Sequence, residues 1–162
     1  MNRKYGKQEI KEVVKDLRET FQQVILTADI IAGFPGETEE DFEETYHLLE
    51  EIELYKIHAF PYSQRKNTKA ATFENQIPPE IKNERTKKLI DLSNKIGDKY
   101  RKKQIGKTLK VLIEEQEKSG AYKGHTANYL EVKIKTTKPN LKNQIIETKI
   151  IETEKESLIG EF

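Results

Sequence analysis

The sequence predicts an α/β unit followed by an all-β unit: a partial parallel (βα) barrel, a long connecting helix and a small C-terminal antiparallel β-barrel. Three observations carry that expectation. Up to about residue 62 the apolar spacing alternates helix, strand, helix, strand, the βαβ signature of a parallel sheet. An amphipathic helical pattern then runs unbroken over 80–103. Beyond Ile105 the period shortens to two, and several short strands fall within about fifty-five residues, as in small closed barrels. The expected boundaries are 1–78, 79–104 and 105–162.

The first helix is expected from Gln8 to about Phe21, because Ile10, Val13, Val14, Leu17 and Phe21 form one stripe. A strand follows at about Val24 to Ala32, whose Val24, Ile25, Leu26, Ile30 and Ile31 suit a strand covered on both faces. Gly33 and Gly36 admit backbone angles closed to other residues, and Pro35 forbids continuation of the strand. Thr38 is the N-cap of the next helix, with Asp41 as the acidic half of a capping box. That helix runs from Glu39 to about Glu53, burying Phe42, Tyr46, Leu49 and Ile52, and its acidic first turn suits the helix dipole. Lys56 to Tyr62 is a second strand, ended by Pro61. Two strands alone make a poor sheet, so the chain is expected to be a fragment or to borrow strands from another chain.

A polar loop over 63–79 precedes the long helix, which places Ile81, Leu89, Leu92, Ile96 and Tyr100 on one side and spans roughly 35 Å. Gly97 weakens its interior and Gly106 stops it. The barrel strands are expected at Leu109–Ile113, Tyr129–Ile134, Gln144–Ile151 and Ser157–Phe162.

Charged and hydrophobic residues each make up 35% of the 162 residues and the formal net charge is +1, a foldable balance that neither demands nor excludes nucleic acid. No apolar run is long enough for a transmembrane helix and no signal peptide is evident, so a cytoplasmic protein with no membrane partner is expected. The chain has no cysteine, which rules out disulfides, thiolate zinc sites, a thiol nucleophile and thiolate-held iron–sulfur clusters within it. His47, His58 and His125 show no paired-ligand spacing, and neither a nucleophile elbow nor a phosphate loop is present. No catalytic residue and no metal site is expected in this chain.

Two stretches carry candidate binding residues. Gly33–Thr38 closes a strand end, where ligands bind in α/β sheets. Asp29 is a carboxylate inside an apolar strand, costly unless paired or facing a polar mouth; ribose hydroxyls and a salt bridge to a neighbouring helix are both open. At the end of the next strand, Phe60 and Tyr62 serve packing or a ligand platform. Arg65 there either holds a carboxylate or phosphate through its fork or is solvated. In the all-β part, Lys99, Arg101, Lys102, Lys103, Lys107 and Lys110 form a basic cluster, and Tyr122, Lys123, His125, Asn128, Tyr129 and Lys133 interleave aromatics with cations. Such a surface binds RNA or merely solubilises the domain, and the acidic residues Glu152, Glu154, Glu156 and Glu161 confine any RNA to one face.

The stretch from Asp29 to Phe42, the opening Met1–Tyr5 and the segment Phe60–Arg65 together resemble the later half of a radical S-adenosylmethionine (SAM) barrel, most of all that of the tRNA methylthiotransferases. The β-rich part over 105–162 resembles a TRAM domain, an RNA-binding module. Gly124–Val132 is similar to the version acting on threonylcarbamoyladenosine beside the anticodon, whereas Asn67 stands where the family usually has glycine. The resemblance implies a parent transferase that uses SAM and 4Fe-4S clusters to add a methylthio group. This chain would be its C-terminal part, supplying tRNA binding and part of the SAM pocket, inactive alone and holding neither cofactor. It places Asp29, Ile31 and Gly33 along the SAM ribose and adenine, and Phe60, Pro61 and Tyr62 on the adenine side with Arg65 nearby. With an RNA-binding module there, the expected RNA contacts are the residues of that basic and aromatic surface: Arg101, Lys102, Lys103, Lys107, Lys110, Tyr122, Lys123, His125, Asn128, Tyr129 and Lys133. Expected partners are tRNA, the missing N-terminal part and a second copy joined through an exposed sheet edge. The alternatives are a free-standing RNA-binding or scaffold protein, a nucleotide-using enzyme completed by dimerisation, and a relative acting on isopentenyladenosine or a ribosomal protein.

Overall fold

A computed structural model describes residues 3–162 as two compact units, one ending at Ile96 and one spanning Gly97–Phe162. In the first, the backbone N–H of Gly6 donates to the Glu9 carboxylate at 2.6 Å and opens α1 (Lys7–Thr20). Strand β1 (Thr27–Ala32) leads to α2 (Glu39–Ile52) and then to β2 (Lys56–Pro61). The Thr38 capping box forms as expected: the Asp41 N–H donates to Thr38 Oγ1 at 3.1 Å and the Thr38 N–H to Asp41 Oδ2 at 2.9 Å. The far end of α2 stops at Glu53, a left-handed residue at φ +45°. Arg18 of α1 donates there to the carbonyls of Ile52 and Glu53 at 2.7 and 2.9 Å, satisfying acceptors that a helix end leaves open.

Strands β1 and β2 pair in parallel from Thr27 opposite Lys56 to Ala32 opposite Pro61. One face of this pair lies on a core of Ala32, Phe42, Leu49, Ile52, Leu54, Ile57 and, from α3 (Pro79–Lys102), Leu89, Leu92 and Ile96. The buried Ile57 N–H donates to Ser93 Oγ at 2.9 Å, fixing β2 to that helix. Tyr46 is only half-buried and Ile81 is exposed, so the apolar stripes of α2 and α3 are narrower than their spacing predicts. The expectation that β1 is covered on both faces is wrong within this unit. Thr27, Asp29 and Ile31 of β1 and His58 and Phe60 of β2 stand exposed on the other side. Apolar composition alone does not reveal which face has a neighbour. A short 3-10 turn, Lys69–Thr72, interrupts the loop before α3. Gly97 lies in uninterrupted helix, and the division between the units falls beside it.

The second unit is a closed barrel of β3 (Thr108–Gln116), β4 (Tyr122–Thr126), β5 (Glu131–Ile134), β6 (Ile145–Glu154) and β7 (Ser157–Glu161), in the order β3-β4-β5-β7-β6. Only β5 and β7 pair in parallel. Gly106, at φ +85°, makes the turn into it, and its N–H donates to the Ile150 carbonyl at 2.8 Å. Alternating residues fill the interior: Val111, Ile113, Tyr122, Val132, Ile134, Ile146, Ile150 and Leu158, with Leu130 beside them. Strand β4 was not among the sequence-predicted strands, the strand expected from Tyr129 begins at Glu131, and β6 continues to Glu154. A glycine in its centre hides β4, and Tyr129 takes φ +64°, which no strand residue can. Among the described residues, no helix is long and apolar enough to cross a membrane.

Candidate functional site

In the first unit the bare face of β1–β2 brings Asp29 beside His58 and Ile31 beside Phe60 by register. The exposed carboxylate and imidazole can hydrogen-bond a polar ligand, and the two apolar side chains, 37% and 51% exposed, offer a flat surface next to them. Exposure also explains how β1 tolerates Asp29 without burying its charge.

At the strand end, Gly33 takes φ +71° and Gly36 φ +87°, as their place in the turn requires. The Gly33 N–H is already committed, donating to Glu37 Oε1 at 2.9 Å. That carboxylate also receives Arg85 Nη1 at 2.7 Å, while Arg85 Nη2 donates to Glu39 Oε2 at 2.8 Å. Arg85 is 5% exposed, and its guanidinium lies 5.3 Å from the centre of the Phe42 ring. The Arg85 hydrogen bond holds the Glu39 carboxyl below its usual range. Beside the turn, Tyr62 packs edge-on to Phe34 at 5.3 Å and its carbonyl accepts from Lys82 Nζ at 3.2 Å. The Tyr62 hydroxyl is buried with no hydrogen-bond partner among the described residues. Pro61 is exposed at the last position of β2. Arg65 is exposed, and its carbonyl accepts from Thr68 Oγ1 at 2.8 Å in a turn where Asn67, at φ +67°, adopts the conformation glycine favours.

The second unit divides its candidate RNA residues sharply. Tyr122, 2% exposed, is a core residue and has no ring face for a base, and Arg101, 7% exposed, is buried near Asp98; both expectations are corrected. Alternation places Tyr122 inward with Val132 and Ile134, a fact visible only once β4 is known to be a strand. Lys123 pairs with Glu131 at 2.7 Å, His125 with Glu114 at 2.8 Å, Lys133 with Glu154 at 3.9 Å and Lys102 with Asp98 at 2.7 Å. Lys107 Nζ donates to Gln104 at 3.2 Å. Lys103 and Lys110 are exposed and carry no ion pair among the described residues. Asn128 accepts from Thr126 Oγ1 at 2.6 Å, and Tyr129 is 85% exposed.

No family model matches the chain. It is 36% identical over 162 residues to the threonylcarbamoyladenosine tRNA methylthiotransferase MtaB of Chlamydia pneumoniae, covering 100% of this chain and 38% of the relative. It is 40% identical over 163 residues to the tRNA-2-methylthio-N(6)-dimethylallyladenosine synthase of Clostridium tetani, covering 99% and 36%. The MtaB of Bacillus subtilis is 36% identical over 155 residues, covering 93% and 34%. Along essentially its whole length the chain matches the tRNA methylthiotransferase family. It spans a little over a third of the length of the curated relatives it matches.

Within the first unit, the Arg85–Glu37–Gly33 link was missed by sequence reasoning. Arg85 reads as one more charge on a helix rich in them, and its partners lie 48 and 46 residues away. Its only signal was an Arg on the Leu89–Leu92 side of the helical pattern. A second internal tie, Glu131, fastens the barrel. Partial burial alone would raise its carboxyl, but hydrogen bonds from Lys123 and Ser157 outweigh burial and hold it below the ordinary value of 4.5. A depressed folded-state pKa stabilises above the unfolded value and loses that stabilisation as pH falls through the folded one. Acidification below the ordinary 4.5 is therefore expected to lower the barrel's denaturation midpoint, and Glu131→Gln to flatten that fall. Urea titrations at neutral and acid pH check this; equal slopes in both proteins would remove Glu131 from the account.

Proposed function

We propose that the chain is the C-terminal part of a tRNA methylthiotransferase acting on threonylcarbamoyladenosine next to the anticodon. Its barrel, read as a TRAM domain, binds tRNA; its βα part, read as the end of a radical-SAM barrel, supplies one wall of the cofactor pocket. The observation that carries this is identity of 36–40% along essentially the whole chain to enzymes named for that modification and its neighbour. The bare β1–β2 face supports the pocket. Asp29 would accept from ribose hydroxyls, Ile31 and Phe60 would flank the adenine, and the unpartnered Tyr62 hydroxyl is a buried polar group of the kind a ligand satisfies. Pro61 and Arg65 would border it; Gly33 contributes by its turn rather than its N–H, which Glu37 occupies.

SAM, reduced at a cluster, supplies the radical in such chemistry. The cluster has no ligand here, because the chain contains no cysteine. The residues of this chain bind and orient, and the electron and the sulfur come from the part of the parent that precedes them. That part would continue the sheet beyond β1 and β2 and cover their bare face.

The identity of 40% to the dimethylallyladenosine synthase favours a second reading, in which isopentenyladenosine is the substrate. One experiment separates the two. The chain is grafted in place of the matching third of Bacillus subtilis MtaB, in cells lacking that enzyme, and tRNA nucleosides are read by mass spectrometry. Methylthio-threonylcarbamoyladenosine is expected. A well-folded chimera that leaves it unmade defeats the first reading, and methylthio-isopentenyladenosine in its place establishes the second.

A further inference from the structure

Tyr129 is held in an arrangement that a purely structural residue has no reason to adopt. Its φ of +64° is the left-handed region, where a bulky side chain is a true outlier. The other non-glycine residues there, among those described, are Asn, Gln, Glu and Lys. The residue is 85% exposed, so little packing offsets the backbone cost.

The turn that carries it is nonetheless tightly built. The Tyr129 N–H donates to the Thr126 carbonyl at 2.9 Å and the Thr126 N–H to the Leu130 carbonyl at 3.0 Å. The Thr126 hydroxyl, on a residue 8% exposed, donates to Asn128 Oδ1 at 2.6 Å and accepts the Leu130 N–H at 2.9 Å. The ring therefore stands on a fixed base with little backbone entropy left to lose on binding. Strands β3 and β4 pair at Val111 opposite Thr126, so Lys110, one residue earlier, lies beside the turn. Lys110 faces Glu147 across β6 without forming an ion pair, and its ammonium is available to a phosphate.

We propose that Tyr129 is the base-stacking anchor of this barrel: an unpaired RNA base lies on its ring while Lys110 holds an adjoining phosphate. The proposal rests on the RNA-binding reading above and names the contact that gives it preference for unpaired loop bases over duplex.

The test uses the full 162-residue chain and a fluorescein-labelled hairpin RNA with a seven-nucleotide loop, beside a blunt duplex of the same stem, titrated against salt. Tyr129→Gly is expected to weaken hairpin binding about ten-fold or more with the salt slope unchanged. Tyr129→Phe should stay within about two-fold, since the ring and not the hydroxyl stacks. Lys110→Ala should lower the salt slope by about one. Glycine suits the left-handed turn, so Tyr129→Gly should also denature at a higher urea concentration than the parent chain. Loss of affinity with gain of stability is the signature expected of a binding residue. Undiminished hairpin binding by Tyr129→Gly, equal losses on hairpin and duplex, or a lower urea midpoint would each overturn the anchor while leaving RNA binding intact. A parent chain that binds neither RNA defeats the RNA-binding reading itself.

Discussion

Arg85→Met is expected to destabilise the first unit by about 2–3 kcal/mol. The guanidinium is 5% exposed and joins three acceptors: Glu37 Oε1 at 2.7 Å, the Glu37 carbonyl at 3.1 Å and Glu39 Oε2 at 2.8 Å. Deleting one partner of a buried pair costs roughly 3–5 kcal/mol because the other charge is stranded. Here the two carboxylates differ. The Glu39 side chain is 57% exposed and returns to water, so its share is small. The Glu37 side chain is 18% exposed and would keep only the Gly33 N–H as a donor. Glu37→Gln in the Arg85→Met background should accordingly recover part of the loss, whereas Glu39→Gln alone should cost far less than Arg85→Met. Urea melts followed by the helical circular dichroism signal measure all three. A double variant no more stable than Arg85→Met alone would show that Arg85 and Glu37 do not act together. The link also matters for the proposed pocket, since it fixes the turn from Gly33 to Thr38 at the mouth of the β1–β2 face.

What could be read from the sequence was local. The Thr38–Asp41 capping box, the end of β2 at Pro61 and the stop at Gly106 follow from chemistry confined to a few residues, and each forms where expected. What escaped was set by distant neighbours. Whether β1 is covered on one face or two depends on which strands lie beyond it, and no periodicity reports that. Arg101 and Lys102 sit side by side in the basic cluster, yet one is buried and the other pairs with Asp98 at 2.7 Å. Tyr122 and Tyr129 looked equivalent as aromatics among cations. One points into the barrel because it lies on a strand, and the other points to solvent because it lies on the turn that ends it. The basic character of the second unit was legible; its distribution between free and paired lysines was not.

Gly124→Ala is expected to cost the barrel about 3 kcal/mol or more, the largest loss from adding a single methyl group to this chain. A Cβ built at Gly124 would lie 2.0 Å from the Leu112 carbonyl oxygen, 2.8 Å from its carbon and 3.0 Å from Ile113 Cα. All three belong to the backbone of β3, and β3 is held on its other side by β6, so a closed barrel gives the strand no direction in which to retreat. Pairing irregularity between Ile113 and Glu115 already marks this crossing as the place where the sheet bends. The comparison that isolates the clash is Gly120→Ala. That glycine has φ +89° and nothing within 4 Å of its Cβ position, so its substitution meets only backbone strain, about 1 kcal/mol. Thermal unfolding of both variants decides the matter: if Gly124→Ala loses no more than Gly120→Ala, close approach of the strands is not why glycine stands at 124. The outcome bears on the proposed function, because Gly124 lies in β4 and Tyr129 in the turn that follows it. The glycine lets β4 pass against β3, and the role proposed for Tyr129 rests on its exposed place outside the barrel interior.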